Sequence, residues 1–287
     1  ALSSEVAGPD NVAIGYFAMG STDNARANVA IGYAALQNLD YDSLTYSHNI
    51  GIGFNAGNDI TTGVNNVIIG GSAGDALTTG TRNVAIGINA LGTEDTGSHN
   101  VAIGYHALAV ADAGADAYNV AIGSSAGAAV TTGTLNTIIG ALAGDAITSS
   151  IANVAIGYNA LSAEDTHGKN VAVGYQALKV QNAGADGYNT AVGFEAGKTI
   201  STAVRNTLIG GLAGDAITTG SDNVSLGYNS LSSSTIGNSN VAIGSFTMGT
   251  NVAADRNVAI GLGSLQNMTS ATTADTYNTA IGYNAGL

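Results

Sequence analysis

The sequence predicts an all-β chain wound as a parallel β-solenoid of about sixteen stacked coils. Three observations predict it. The motif Asn-Val-Ala-Ile-Gly, or a close variant, occurs sixteen times, with its Asn at Asn11, Asn28, Asn49, Asn66, Asn83, Asn100, Asn119, Asn136, Asn153, Asn170, Asn189, Asn206, Asn223, Asn240, Asn257 and Asn278. The spacing is 17 residues, apart from two intervals of 19 and two of 21, which is too short for a helix pair and suits two short strands with turns. The composition holds 41 glycines, one proline, no tryptophan and no cysteine, with 45% hydrophobic residues. That apolar content is mostly Ala, Val and Ile, which suit thin regular layers. Glycine without a three-residue period rules out collagen, and the apolar content rules out disorder.

Each coil is numbered here from its Asn as position 0. Position +4 is Gly in every coil, and the role expected of it is a turn through a backbone shape closed to other residues. Position +3 is always aliphatic and +1 is Val, Ile or Thr. These two share one face of a strand, read as the interior. Position +7 is Ala in thirteen coils. Position +8 is either a large apolar residue, as at Leu36, Leu91 and Leu161, or Gly; coils with Gly57, Gly74, Gly127, Gly144, Gly197 and Gly214 carry an aliphatic residue at +11 instead. One large side chain is therefore expected to fill the second half of each coil from one of two places, since interiors are close-packed. The Asn residues are expected to stack as an amide ladder.

A longer repeat of 70 residues overlies the coil, marked by AGDALTTG at 73–80, AGDAITSS at 143–150 and AGDAITTG at 213–220. The lengthened coils are expected to emerge as loops on one face. Residues 1–10 read as a cap or linker and 11–287 as the repeat domain. The last motif, NTAIGYNAGL, stops partway, so the repeat is expected to run on beyond Leu287.

These tandem NVAIGYxAL-type motifs, covering 11–287, resemble the YadA-like head repeats of trimeric autotransporter adhesins and the β-roll repeats of phage tail fibres. The resemblance implies a left-handed β-roll assembled as a parallel homotrimer. It does not distinguish a bacterial adhesin or filament from a phage fibre, and no heptad stalk, membrane-anchoring barrel or C-terminal chaperone domain is recognisable. The residues give separate support for self-association. Position +2, opposite +1 and +3, should point outward, yet it is almost never polar. It forms a small-residue stripe with Ala85 and Ala155, and with aliphatic knobs at Ile68, Ile138 and Leu208. Such a stripe marks an interface, and these five residues are the expected trimer contacts.

The net charge is −13, from 20 acidic and 7 basic residues. With the basic residues scattered, phosphate-backbone binding to nucleic acid is excluded, as is docking on anionic membranes. No apolar run approaches the ~20 residues of a spanning helix, so no membrane insertion is expected. His48, His99, His106 and His167 show no metal-ligand spacing. Glu94–Asp95 and Glu164–Asp165 read as repeat features on solvated turns. GIGFNAG at 51–57 lacks the βαβ setting of a dinucleotide loop. No enzyme, cofactor or metal is expected.

The resulting functional expectation is an extracellular structural fibre or adhesin segment, on a cell surface or virion. It would present repeated loops to a host-surface glycan or protein receptor. The candidate contacts are Tyr41, Tyr46, Asp40 and Asp42 in the long coil at 28–48, and Tyr118, Asp116, Tyr188 and Asp186 in the 19-residue coils. Tyr offers contact area at low entropy cost, and carboxylates accept sugar hydroxyls. The alternatives are an ice- or glycan-surface-binding solenoid, for which Thr61–Thr62, Thr78–Thr79, Thr131–Thr132 and Thr218–Thr219 are the relevant pairs, and a polysaccharide-degrading enzyme.

Overall fold

A computed structural model describes residues 10–268 and 274–287. The expected cap or linker at 1–10 therefore lies, apart from Asp10, outside the described residues. The chain is an all-β parallel solenoid of about sixteen turns, with no helix among the described residues. No helix is long and apolar enough to cross a membrane. It divides into two compact units, Ala1–Ser149 and Ser150–Leu287, each holding eight coils of one design. In the first unit, the strands from Val12–Ile14 to Thr137–Ile139 pair in parallel with unbroken register, +2 on +2. In the second, the strands from Val154–Ile156 to Thr279–Ile281 do the same.

Every coil has a three-residue strand, and among the described residues the second short strand expected appears in four coils, as Asp23–Arg26, Asp40–Tyr46, Ala254–Asp255 and Ala274–Asp275; elsewhere turns take its place, because three further positions are left-handed. In the Asn66 coil these are Asn65 at −1, Ser72 at +6 and Gly74 at +8, with φ of 60°, 50° and 48°. Residues at such φ cannot continue a strand. The Gly at +4 is demanded twice over. Gly70 has φ 137°, and a Cβ there would lie 2.5 Å from the carbonyl oxygen of Gly87 in the next coil.

The strand has the opposite phase to the one expected. The +2 side chain is fully buried, while +1 and +3 are half-buried or exposed. Ile68, Ala85, Ile138, Ala155 and Leu208 are each completely buried inside their own chain, so they cannot be the outward contacts of a trimer. The coil is thin, and the small residues usual at +2 and +7, such as Ala85 and Ala90, are both fully buried inside it.

The large side chain expected in each coil behaves as the +8/+11 pattern requires. Leu36, Leu91, Leu108, Leu161 and Leu178 at +8, and Ile60, Leu77, Val130, Ile147, Ile200 and Ile217 at +11, are all fully buried. The two sources crowd each other where Gly stands at +8, although the longer coil at 28–48 buries both Leu36 at +8 and Leu39 at +11. A Cβ on Gly57 would come within 2.9 Å of Ile60 Cδ1, and one on Gly74 within 2.9 Å of Leu77 Cδ1 and 3.1 Å of Ile68 Cδ1. The aliphatic knobs at +2 are thus volume fillers in coils that lack a side chain at +8. Gly57→Leu should cost about 1–3 kcal/mol through overpacking, and the double change Gly57→Leu with Ile60→Ala should recover most of it. Equal unfolding midpoints for the single and double variants would show that the two positions do not share one seat.

The Asn column joins successive coils. Asn28 N–H donates to Asn11 Oδ1 at 2.9 Å, Asn66 N–H to Asn49 Oδ1 at 2.9 Å and Asn83 N–H to Asn66 Oδ1 at 2.9 Å. The second unit repeats this, as in Asn206 onto Asn189 at 2.9 Å and Asn223 onto Asn206 at 3.0 Å. The amide nitrogen donates to a carbonyl fourteen residues on, as from Asn66 to Gly80 at 2.9 Å and from Asn223 to Gly237 at 2.8 Å. Where both bonds form, the buried Asn closes its own coil and anchors the next, satisfying groups that burial would otherwise penalise; the Asn100 Nδ2, by contrast, is buried without a hydrogen-bond partner.

Candidate functional site

The lengthened coils are built more firmly than loops. Asp40–Tyr46 is a strand, paired in parallel with Asp23–Arg26. Tyr41 is buried and donates its hydroxyl to Gly63 O at 2.7 Å; burial raises its pKa. It is part of the interior, which corrects its assignment as a contact residue. Asp40, Asp42 and Tyr46 are exposed. Tyr46 lies under the Arg26 guanidinium, 4.9 Å from its ring centre, and accepts an Arg26 hydrogen bond at 3.0 Å.

The pairs Asp116/Tyr118 and Asp186/Tyr188 share one arrangement. Each sits directly before a repeat Asn and is gripped by the −1 side chain of the preceding coil. His99 stacks on Tyr118 with ring centres 4.7 Å apart, and its Nδ1 lies 3.3 Å from Asp116. Lys169 reaches Asp186 at 2.5 Å and the Tyr188 hydroxyl at 3.1 Å. The Lys169 hydrogen bond lowers the Asp186 pKa, and the same bond raises that of Lys169. Arg256, Asp275 and Tyr277 repeat the clamp; the neighbouring loop residues 269–273 lie outside the described residues. All four candidate side chains are solvent-accessible, but their polar groups already have partners within the chain. Such a clamp orders the end of a long coil.

Glu94 and Glu164 are not on solvated turns. Both occupy +11, the inward position, and are fully buried. Glu94 accepts from Gly97 N–H at 2.7 Å, and Glu164 from His167 N–H at 3.1 Å. Burial raises both pKa values, that of Glu164 to about 7, with the charges of Asp165 and Asp186 adding to the effect. Glu164, Asp165 and His167 bring possible ligand atoms within 4.8 Å of one another, as do Glu94, Asp95 and Asp112. These are the groupings that could hold a cation, although Glu94 is already engaged by Gly97. Within the threonine pairs, Thr61, Thr78, Thr131 and Thr218 each donate to a carbonyl of the following coil, at 3.0–3.3 Å, while Thr62, Thr79, Thr132 and Thr219 are exposed.

No protein-family model matches the chain, and no curated protein matches it.

One surface feature is made of side chains expected inside the coil. The outer face of the sheet carries Val or Thr at +1 and Ile at +3, bordered at +5 by exposed rings. In the first unit Tyr16, Tyr33 and Phe54 stack with centres 5.6 and 5.2 Å apart. In the second, Tyr158, Tyr175 and Phe194 repeat those spacings. Rings stacked in this way cover one another's faces and offer their edges outward. They extend the apolar face and do not form flat platforms for sugars. The rule that small residues lie inside a thin coil could have assigned this face, because +2 is nearly always Ala and +5 is often aromatic.

Proposed function

We propose that this chain is a structural segment of an extracellular fibre or adhesin, assembled as a homotrimer through the outer face of its sheet. The observation that carries this reading is the apolar face of +1, +3 and +5 side chains, over which no other element packs among the described residues. Monomeric proteins rarely expose contiguous apolar patches above a few hundred Å². Here the patch recurs coil after coil, so its area grows with the stack, and interfaces of that kind belong to permanent assemblies. A second copy is the fitting occupant, because in-register parallel coils present the same row to each other at every layer. The resemblance of the repeat to YadA-like heads and tail-fibre rolls supports three copies around an axis, and the clamped long coils supply ordered outward features for surface attachment.

Sedimentation tests this directly. The unaltered chain is expected to sediment as a trimer at micromolar concentration. Ile86→Asp with Ile243→Asp, both half-buried +3 positions, should give a folded monomer, since a charge in a covered apolar interface is costly. A monomeric parent chain would remove the basis for the assembly.

A further inference from the structure

We propose that the turn pocket between Asp75 and His106 is a carbohydrate subsite that takes one neutral pyranose ring. The pocket is formed by residues of three successive coils on the turn after the sheet, with Tyr105, one of the +5 rings that border the apolar face, packed on its lining residue His106. Its biological purpose rests on the attachment reading above, while its chemistry stands apart from how the chain assembles.

The lining is mixed in the way a sugar requires. Asp75 supplies a carboxylate and Asn89 an amide, while Ala109 and Val110 supply an apolar wall. The Asn89 amide nitrogen lies 3.1 Å from His106 Nε2. An NH2 group there donates, so Nε2 accepts and the proton of the neutral ring sits on Nδ1. This leaves Asn89 Oδ1 as an acceptor and the His106 Nδ1–H as a donor. The ring of Tyr105, exposed beside the pocket, packs on His106 with centres 4.1 Å apart. Vicinal hydroxyls pair with such alternating acceptors and donors, and the C–H face of a pyranose packs on an apolar wall. A few placed polar groups within an apolar concavity are the usual make-up of a small-ligand site. The Asp75 carboxylate, with Asp59 close enough to act on it electrostatically, selects against uronic and sialic acids.

The floor is Gly92. Its φ is not in the left-handed region, and a Cβ built on it meets its nearest atoms, Ala109 O and Asn89 O, at 3.4 Å, an ordinary contact. A larger side chain at 92 can therefore fill the pocket without breaking the coil. The Asn206 super-repeat keeps the carboxylate at Asp215 and the amide at Asn229, but has Phe246 in the place of His106. The donor is missing there; the Asn136 super-repeat, which keeps Asp145 and Asn159, has Gln176 at that place, so the histidine occurs only in the Asn66 super-repeat.

The test uses the whole chain and saturation-transfer NMR with the methyl pyranosides of glucose, galactose, mannose and N-acetylglucosamine at millimolar concentration, with methyl glucuronide as the charged comparison. At least one neutral probe should give a signal. Gly92→Leu should abolish it, Asp75→Asn should weaken apparent affinity at least fivefold, and the glucuronide should give none. Circular dichroism and sedimentation of both variants should match the parent, which separates loss of the subsite from loss of assembly. Silence from all neutral probes overturns the proposal. So does a signal that survives both Gly92→Leu and Asp75→Asn, or a glucuronide signal equal to that of the neutral sugars. Should Gly92→Leu not fold, Asp75→Asn alone decides. A trimer that binds no sugar would leave the fibre reading intact, and a monomer that does would leave the subsite intact.

Discussion

Gly70→Ala should lower the unfolding free energy by at least about 3 kcal/mol, while Gly71→Ala, one residue on, should change it by less than about 0.5 kcal/mol. The two glycines differ only in what the backbone asks of them. Gly70 has φ 137°, and an added Cβ would press to 2.5 Å from Gly87 O. That φ is essentially closed to residues with a side chain, and the clash is with backbone, which cannot rotate away. Gly71 has no atom within 4 Å of an added Cβ. Relief at residue 70 would also disturb the bond from Gly70 N–H to Ile52 O at 2.8 Å and the bond from Gly87 N–H to Ile69 O at 2.7 Å, so the damage spreads to both neighbouring coils. Denaturation midpoints of the two variants measure the contrast. Similar losses at 70 and 71 would mean that glycine at +4 reflects something other than the turn.

The sequence made the coil legible because its constraints repeat sixteen times. Period, turn glycine and the +8/+11 exchange all follow from positions where only one kind of residue fits. The phase of the strand was not legible from alternation, since a period of two defines two faces without saying which is inside. Bulk misled: Ile at +3 looks like core, but a coil thin enough to bury its Asn column has space at +2 only for Ala, with Ile68, Ile138 and Leu208 admitted where Gly stands at +8. Tyr41 was misread for a related reason. Its place in a lengthened coil suggests a loop residue, although Leu39 occupies +11 of that coil and is fully buried, which places the start of that segment inside. The clamp partners His99, Lys169 and Arg256 were visible in the sequence, each at −1 in the coil preceding a Tyr at −1, but position −1 varies so widely that no pattern drew them together. The pocket at Asp75 depends on three coils meeting at a turn, which no single repeat encodes.

Glu164 gives the chain a pH-dependent weakness near neutrality. Aligned on the coil, it stands at +11, where other coils place Ile60, Ile147 or Ile200, and it is fully buried. Its hydrogen bonds include His167 N–H at 3.1 Å and Asn170 Nδ2 at 3.4 Å, and burial together with the nearby Asp165 and Asp186 charges raises its pKa from 4.5 to about 7. A carboxyl whose pKa is higher in the fold holds its proton more tightly folded than unfolded. Its favourable contribution is complete below pH 4.5 and is lost as pH rises through about 7. The loss amounts to about 3 kcal/mol at most. Glu164→Gln keeps the shape and removes the titration. The stability of this variant relative to the parent should therefore rise by up to that amount between pH 4 and pH 8.5, with most of the change above pH 5. Glu94, whose pKa is raised in the same sense, leaves a residual slope in both proteins that cancels in the difference. Urea titrations of parent and variant across this range read the difference directly. A difference that stays flat would mean that Glu164 is charged and compensated inside the fold at every pH, and that its neighbours supply more than the two contacts named here.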